Sequence, residues 1–445
     1  MNPLGSPIMN RSTTLAFSIL TFLLLGSCSV EAQETIVEKA EKKPSASSET
    51  LIWSQWRGPN RDGMVAKGSA DWPQSLDDSN FTQVWRKELA PSYSGPILSK
   101  KLVFTTETRD RASEWVTAYD RKTGKMQWET SWNGAMQVPF FAKANGDWIR
   151  STPAYDGKNI YVAGMRDVLV CLNAANGEEQ WRVDFVEKFG TKIPDFGFVC
   201  SPLTSKEHVY VQAGASFFKL NKSNGEVVWR SLDDGGGMMG SAFSSPVIAE
   251  LAGKRQLVVQ SRSALAGIDD QSGEVLWSKK IKAFRGMNIL TPTVVDDTVF
   301  TSAYGGSAQL FNINKAGDQF AIEENWNNRV TAYMSSPIVI DGHLYLHMRN
   351  QRFTCIDLKT GESKWTTKPF GKYWSMVANG DRILALDERG DLMLIKANTE
   401  AFELLATRKI SNSPSWAHIA VAGEEVYIRE LNSLVAYRWS SEQAK

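Results

Sequence analysis

The sequence predicts an all-β protein: an eight-bladed β-propeller built from four-stranded antiparallel blades. Three observations predict it. A turn-and-tryptophan pattern recurs five times at one fixed spacing. A proline-led β run recurs about every 45 residues, the length of one blade. The 445 residues also include 16 Trp, 33 Gly and 16 Pro, with 42% hydrophobic residues. That composition favours many short strands and turns over helices.

The elements follow in chain order. Arg11 precedes a mostly apolar run from Leu15 to Leu25. This run is too short to span a bilayer as a mature helix, and it suits a targeting segment. It ends in Leu25-Gly26-Ser27-Cys28. Small residues before a cysteine, just after an apolar core, resemble the lipobox of bacterial lipoproteins. The resemblance implies a signal peptide over residues 1–28 and lipidation of the Cys28 thiol. It also implies attachment at the periplasmic face of a bacterial membrane, through the lipid alone. The alternative is an ordinary secretory signal cut after Ala32, giving a soluble secreted protein. Met1 and Met9 both serve as starts for such a segment. Residues 29–50 are rich in Glu, Lys, Ser and Ala and read as a flexible tether. Residues 51–82 form a leader expected to pack on the propeller, residues 83–440 the propeller, and 441–445 a tail.

The repeat carries the fold. Asp120, Gly124 and Trp128 stand four residues apart, as do Asn173, Gly177 and Trp181. Asn221, Gly225 and Trp229 repeat the layout, then Asp269, Gly273 and Trp277, then Asp357, Gly361 and Trp365. Each position has a mechanical reading. Asp or Asn accepts from backbone N–H groups just ahead and closes a turn. Gly supplies positive φ for a tight hairpin, and Trp buries a large ring. Ahead of each copy, a small residue, usually Ser or Thr, precedes Pro96, Pro153, Pro202, Pro246, Pro292 or Pro337.

Three units are degenerate. The fifth keeps Gly317 and Trp326 but on a longer hairpin. The seventh has Lys396, Glu400 and Leu404 where Asp, Gly and Trp are expected. The eighth runs through Val426-Tyr427-Ile428 to Trp439 and stops after three strands. A propeller must close its ring. Gln83 to Lys87 supplies the missing strand, so the two termini share a blade. Seven blades is the alternative, should the seventh unit not be a blade.

Repeats of this form resemble the PQQ-type, quinoprotein-like propeller repeat, over nearly the whole mature chain. Trp53-Ser-Gln-Trp56-Arg57-Gly-Pro-Asn-Arg61-Asp-Gly63 is similar to a shorter leader found before such propellers in planctomycete-type bacteria. Two functional classes share the repeat. BamB-like lipoproteins are non-catalytic scaffolds in outer-membrane protein assembly, and quinoprotein alcohol dehydrogenases bind PQQ and calcium on the propeller axis. Fold alone does not choose between them.

The chemistry-bearing residues favour the scaffold. With 50 basic and 49 acidic residues, the chain shows no basic excess for nucleic acid. The dehydrogenase resemblance implies a vicinal Cys-Cys pair, axial carboxylates for calcium and, in some members, a Cys-x-x-Cys-His haem site. The sequence has no Cys-Cys and no such haem motif, and the starts of its inner strands lack Asp and Glu. Beyond Cys28 there are Cys171, Cys200 and Cys355, too few for a disulfide framework. Cys171 and Cys355 read as small buried residues. His343 and His347 lie about 13 Å apart on one strand, too far to share a metal, and read as surface residues. Asp233 to Gly240 is glycine-rich without a phosphate-loop Lys, and reads as an inter-blade connection. No catalytic residue, metal site or cofactor is expected.

Something could still bind on the axis. Trp148, Arg150, Arg285, Asn288, Arg329, Tyr333, Trp374, Trp416 and His418 fall at or near the starts of the inner strands. Aromatic faces with a few cations suit an anionic or sugar-like ligand, or a peptide. The competing reading is that these rings merely plug the funnel. Arg57 and Arg61 are read as staples from leader to propeller. The expected partners are envelope proteins, with the chain otherwise monomeric.

Overall fold

A computed structural model describes residues 52–234 and 242–440. Cys28, the tether, the tail and most of the Asp233–Gly240 stretch lie outside the described residues. That stretch joins the outer strand of blade 3 to the inner strand of blade 4.

Thirty-two strands form eight four-stranded antiparallel sheets, as the sequence predicts. Blade 1 shows the pattern. A short inner strand, Ile97–Leu98, is followed by Leu102–Arg109, Ser113–Asp120 and an outer strand, Met126–Asn133. The two central strands are buried on both faces, while the outer strand alternates. Blades 2 to 7 repeat this order, with inner strands starting at Ala154, Leu203, Val247, Thr293, Ile338 and Trp374. The seventh unit is therefore a blade, which excludes the seven-bladed alternative.

Blade 8 closes the ring. Ala420–Ala422, Glu425–Glu430 and Ser433–Trp439 supply three strands, and Phe81–Glu88 supplies the fourth, pairing with Ser433–Trp439. The closing strand starts two residues before the expected Gln83. The Nη2 of Arg121 in blade 1 then reaches Glu425 Oε2 in blade 8 at 2.6 Å.

Every blade carries a register shift between its third and outer strands. Such a bulge re-aims the next side chain, and here that side chain is the tryptophan. Trp128 Nε1 donates to the Ala174 carbonyl at 3.1 Å, and Trp181 Nε1 to the Lys222 carbonyl at 2.8 Å. Trp85, Trp229 and Trp326 do the same to Arg121, Asp270 and Leu358. In each case the acceptor follows the turn Asp or Asn of the next blade. The tryptophan therefore clips one blade to its neighbour. The repeat glycine has a second duty that spacing did not reveal. At Gly177, with φ +78°, an added Cβ would stand 2.4 Å from the Trp128 ring.

Three junctions depart from the pattern, the first at Trp365, whose Nε1 donates to Asn398 O at 2.8 Å, two residues past Lys396. Trp277 donates instead to Gln256 Oε1 of its own blade at 2.7 Å, because the long hairpin at Gly317 offers it no docking turn. In blade 7 the residue opposite Leu394 is Ala406, so Leu404 does not occupy the tryptophan position. The turn there is two residues longer. Ala406 instead packs against the core cluster that contains Trp72 and Leu76 of the leader.

Candidate functional site

The proline-led repeat builds the axis. Thr152, Ser201, Ser245 and Thr291, each before a proline at the start of an inner strand, accept a hydrogen bond from the preceding blade. Gly95 N–H donates to Thr152 Oγ1 at 3.0 Å, Thr152 N–H to Ser201 Oγ at 3.1 Å, and Ser201 N–H to Ser245 Oγ at 2.9 Å. Ser245 N–H continues to Thr291 Oγ1 at 3.0 Å. Inner strands are too short to satisfy these N–H groups in a ladder, and a buried unpaired N–H costs about 1–3 kcal/mol. A hydroxyl from the next blade satisfies each one.

The leader closes one end of the channel. Trp53 bridges Leu98 in blade 1, Ser54 O accepts from Tyr155 N in blade 2, and Met64 bridges Ala378 in blade 7. Between these anchors the chain crosses the axis. Arg61 Nη1 donates to Pro246 O at 2.9 Å and Nη2 to Ser201 O at 3.0 Å and to Pro202 O. Arg57 Nη2 donates to Pro337 O at 2.6 Å. Both arginines are thus held by carbonyls of blades 3, 4 and 6. Burial lowers Arg57 to about 10 and Arg61 to about 9, so both remain cationic at neutral pH. Gly63 is needed at the exit, since a Cβ there would stand 2.7 Å from Ile338 Cδ1.

Above this floor the aromatics leave a cavity of about 350 Å³. The reading in which they merely plug the funnel is therefore corrected: the leader plugs the far end, and the near end stays open. Trp56 points up from the leader and meets the His418 ring edge-on at 5.0 Å. Hydroxyls of Thr152, Ser201, Ser245, Thr291 and Ser336 ring the wall. Tyr93 stacks on Trp416 at 4.4 Å, Tyr373 meets Trp416 at 4.3 Å, and Tyr333 meets Tyr373 at 5.8 Å.

Six of the nine sequence candidates line this cavity: Arg150, Arg285, Tyr333, Trp374, Trp416 and His418. Three do not. Asn288 is buried behind the wall, with Nδ2 donating to Ser261 O at 2.9 Å. Trp148 backs the wall against Tyr93. Arg329 faces a separate shallow groove beside Arg349. Distance from the strand start does not separate Arg329 from Arg285, which precedes Thr293 by eight residues and lines the cavity, whereas Arg329 precedes Ile338 by nine. Reading those starts alone also missed Tyr93, Phe141, Phe196, Phe243 and Phe284. The aromatic runs Pro139-Phe-Phe141 and Ala283-Phe284 were the available signal.

His347 corrects the surface reading. It is buried, and its ring stacks on Trp374 at 4.8 Å. Burial lowers it to about 4, and His418 to about 3, where the nearby Arg57 charge adds to the effect. Both rings are neutral at physiological pH. Cys171, Cys200 and Cys355 are buried free thiols.

Residues 112–367 match the family model described as outer membrane protein assembly factor BamB, which covers more than half of the chain. The chain belongs to this family. The BamB protein of Yersinia pestis is 22% identical over 266 residues, covering 55% of this chain and 63% of that protein. The chain therefore spans less than two thirds of that relative. The BamB structure from Moraxella catarrhalis superposes with a TM-score of 0.60 at 14% identity, over 82% of this chain and 99% of that one. Quinohemoprotein alcohol dehydrogenase from Comamonas testosteroni also superposes at 0.60, with 11% identity over 89% and 82% of the two chains. At such identities both structures speak for the fold alone.

The quinoprotein resemblance of the repeat implies PQQ with calcium as the alternative cofactor, and the donor set of this BamB-family cavity does not fit the metal. Calcium takes six to eight oxygen ligands, carboxylates foremost. None of the residues lining the cavity is Asp or Glu, while two are arginine. Among the described residues, no cluster of three or more His, Cys, Asp or Glu could hold a metal.

Proposed function

We propose that this protein is a non-catalytic envelope scaffold that takes part in outer-membrane protein assembly. The observation that carries the reading is the family match across residues 112–367. A rigid ring suits the role, since eight stapled blades hold their connecting loops in fixed relation for partners to read. Acylation of Cys28 places the propeller at the periplasmic face of the membrane, on a tether of about 22 residues.

Two experiments test this. Affinity capture of the full chain from its native envelope should retrieve a complex that inserts outer-membrane proteins. Retrieval of an unrelated complex would defeat the reading. Cys28→Ser should move the protein from the membrane to the soluble fraction. Unchanged membrane retention would refute the anchor.

A quinoprotein dehydrogenase is the alternative reading, carried by the resemblance of the repeat alone. Stoichiometric PQQ binding with calcium, or alcohol oxidation by the reconstituted protein, would establish it in place of the scaffold.

A further inference from the structure

We propose that the axial cavity is a binding site for a carboxylate carried on an aromatic or aliphatic group. The proposal stands apart from the scaffold role and does not depend on it.

Charge comes first. Arg150 sits in the wall among aromatic rings. Its Nε donates to Trp148 O at 3.4 Å and its Nη2 to Gly146 O at 2.7 Å, which leaves Nη1 for the cavity. Its sequence neighbour Asp147 is engaged elsewhere, with Oδ1 accepting from Val138 N–H at 3.0 Å. Arg285 stands exposed at the mouth, over the Phe284 ring at 5.3 Å. Arg57 and Arg61 lie under the floor, flanking Trp56 at 5.6 and 6.0 Å. Neutral His418 adds no charge, and no lining residue is acidic. Two guanidiniums, Arg150 and Arg285, therefore line a cavity whose own lining holds no acid, with Arg57 and Arg61 beneath it; Asp62 faces Arg57 and Asp147 acts on Arg150 only from outside that lining. Arg150 is buried with only carbonyl acceptors and an acid outside the cavity to offset its charge, and a bound carboxylate supplies an anion on the cavity side. Guanidinium binds carboxylate as a fork, with charge-assisted bonds.

Shape comes second. A cavity of about 350 Å³ is at the small end of ligand-site sizes. Stacked and tilted ring pairs, Tyr93 on Trp416 and Phe196 on Phe243 at 5.5 Å, wall a slot for one flat or branched apolar group. The wall hydroxyls suit the remaining carboxylate oxygen.

Strain comes third. Arg285 holds φ 53°, a left-handed conformation disfavoured for a non-glycine residue. Strain of this kind gathers at binding sites, and here it sets a cation at the cavity mouth.

The same chemistry has two sources: a free organic acid, or the last residue of a polypeptide. In the second case Phe141 and Phe284, both exposed and lining the cavity, would cover the preceding residues. Titration of the full chain, followed by tryptophan fluorescence and melting temperature, tests the proposal. The probes are 3-phenylpropanoate, its neutral amide, and a hexapeptide ending in Phe with a free or an amidated C-terminus. At least one acid form should bind, and about tenfold tighter than its own amide. Tighter binding of the free-ended peptide than of the small acid identifies a chain end. Equal binding identifies a small molecule. Arg150→Gln should reduce acid binding to the level of the amide. Arg285→Ala should weaken it by a smaller factor and melt as the wild type does. Acid and amide binding alike, or no acid form binding, overturns the proposal. That comparison uses the wild-type chain and stands even where Arg150→Gln does not fold.

Discussion

Trp128 and its counterparts show how one side chain can set a ring. Its indole N–H reaches the Ala174 carbonyl of the next blade, and its face covers Gly177. Losing it removes a large buried ring and leaves a buried carbonyl unpaired. Trp128→Ala should therefore destabilise the protein by about 3–5 kcal/mol in urea unfolding. Leu404→Ala should cost under about 1 kcal/mol, because Leu404 is 43% exposed and clips nothing. Gly177→Ala should also destabilise, through both its positive φ and the Trp128 ring.

The leader acts as an element, although it contributes only two isolated bridges before its closing strand. It gains its place by donating two guanidiniums to carbonyls that inner strands leave unpaired. Arg61→Met keeps the volume but strands the carbonyls of Ser201, Pro202 and Pro246. A fall of roughly 2–4 kcal/mol is expected in thermal or urea unfolding. Deletion through Lys87 removes all but the last residue of the Phe81–Glu88 strand and should open blade 8, whereas deletion through Ser48 should leave the melting temperature unchanged. A normal melt after the longer deletion would show that the ring does not need its shared blade.

Across the whole molecule, buried titratable groups join neighbouring blades. Glu114 of blade 1 accepts from Trp132 Nε1 and from Met165 N–H of blade 2, each at 2.8 Å. Asp167 of blade 2 accepts from Gly214 N–H of blade 3 at 2.8 Å. Burial raises Glu114 from 4.5 to about 8 and Asp167 from 3.8 to about 7. Their folded forms hold protons that the unfolded chain has lost, so their stability is full below about pH 4 and is lost as pH rises through 7–8. His347 and His418 act in the opposite sense. Their folded values lie below the usual 6.5, so their contribution is present above 6.5 and lost as pH falls toward 4 and 3. Between pH 6.5 and 8 the carboxyls dominate among these four groups. Stability should fall there, with a slope that Glu114→Gln reduces by up to about 1.4 kcal/mol per pH unit. An unchanged slope in that variant would show that Glu114 does not titrate in this range.

Period, blade count and the shared closing blade were legible in the chain itself. They depend on local turn chemistry and hydrophobic pattern, and both are written at fixed intervals around Gly124, Trp128 and Pro153. The residues Arg150, Tyr333, Trp374, Trp416 and His418 were legible for the same reason, since they stand at or shortly before the starts of inner strands. What only the tertiary structure decided lies between blades. Tryptophans dock on neighbouring turns, pre-proline hydroxyls satisfy neighbouring N–H groups, and Trp56 forms a floor opposite Tyr93. Such contacts join residues tens to hundreds of positions apart, and their geometry is set by ring closure. No local pattern encodes how far apart eight inner strands stand once the ring has closed. That separation leaves the funnel open.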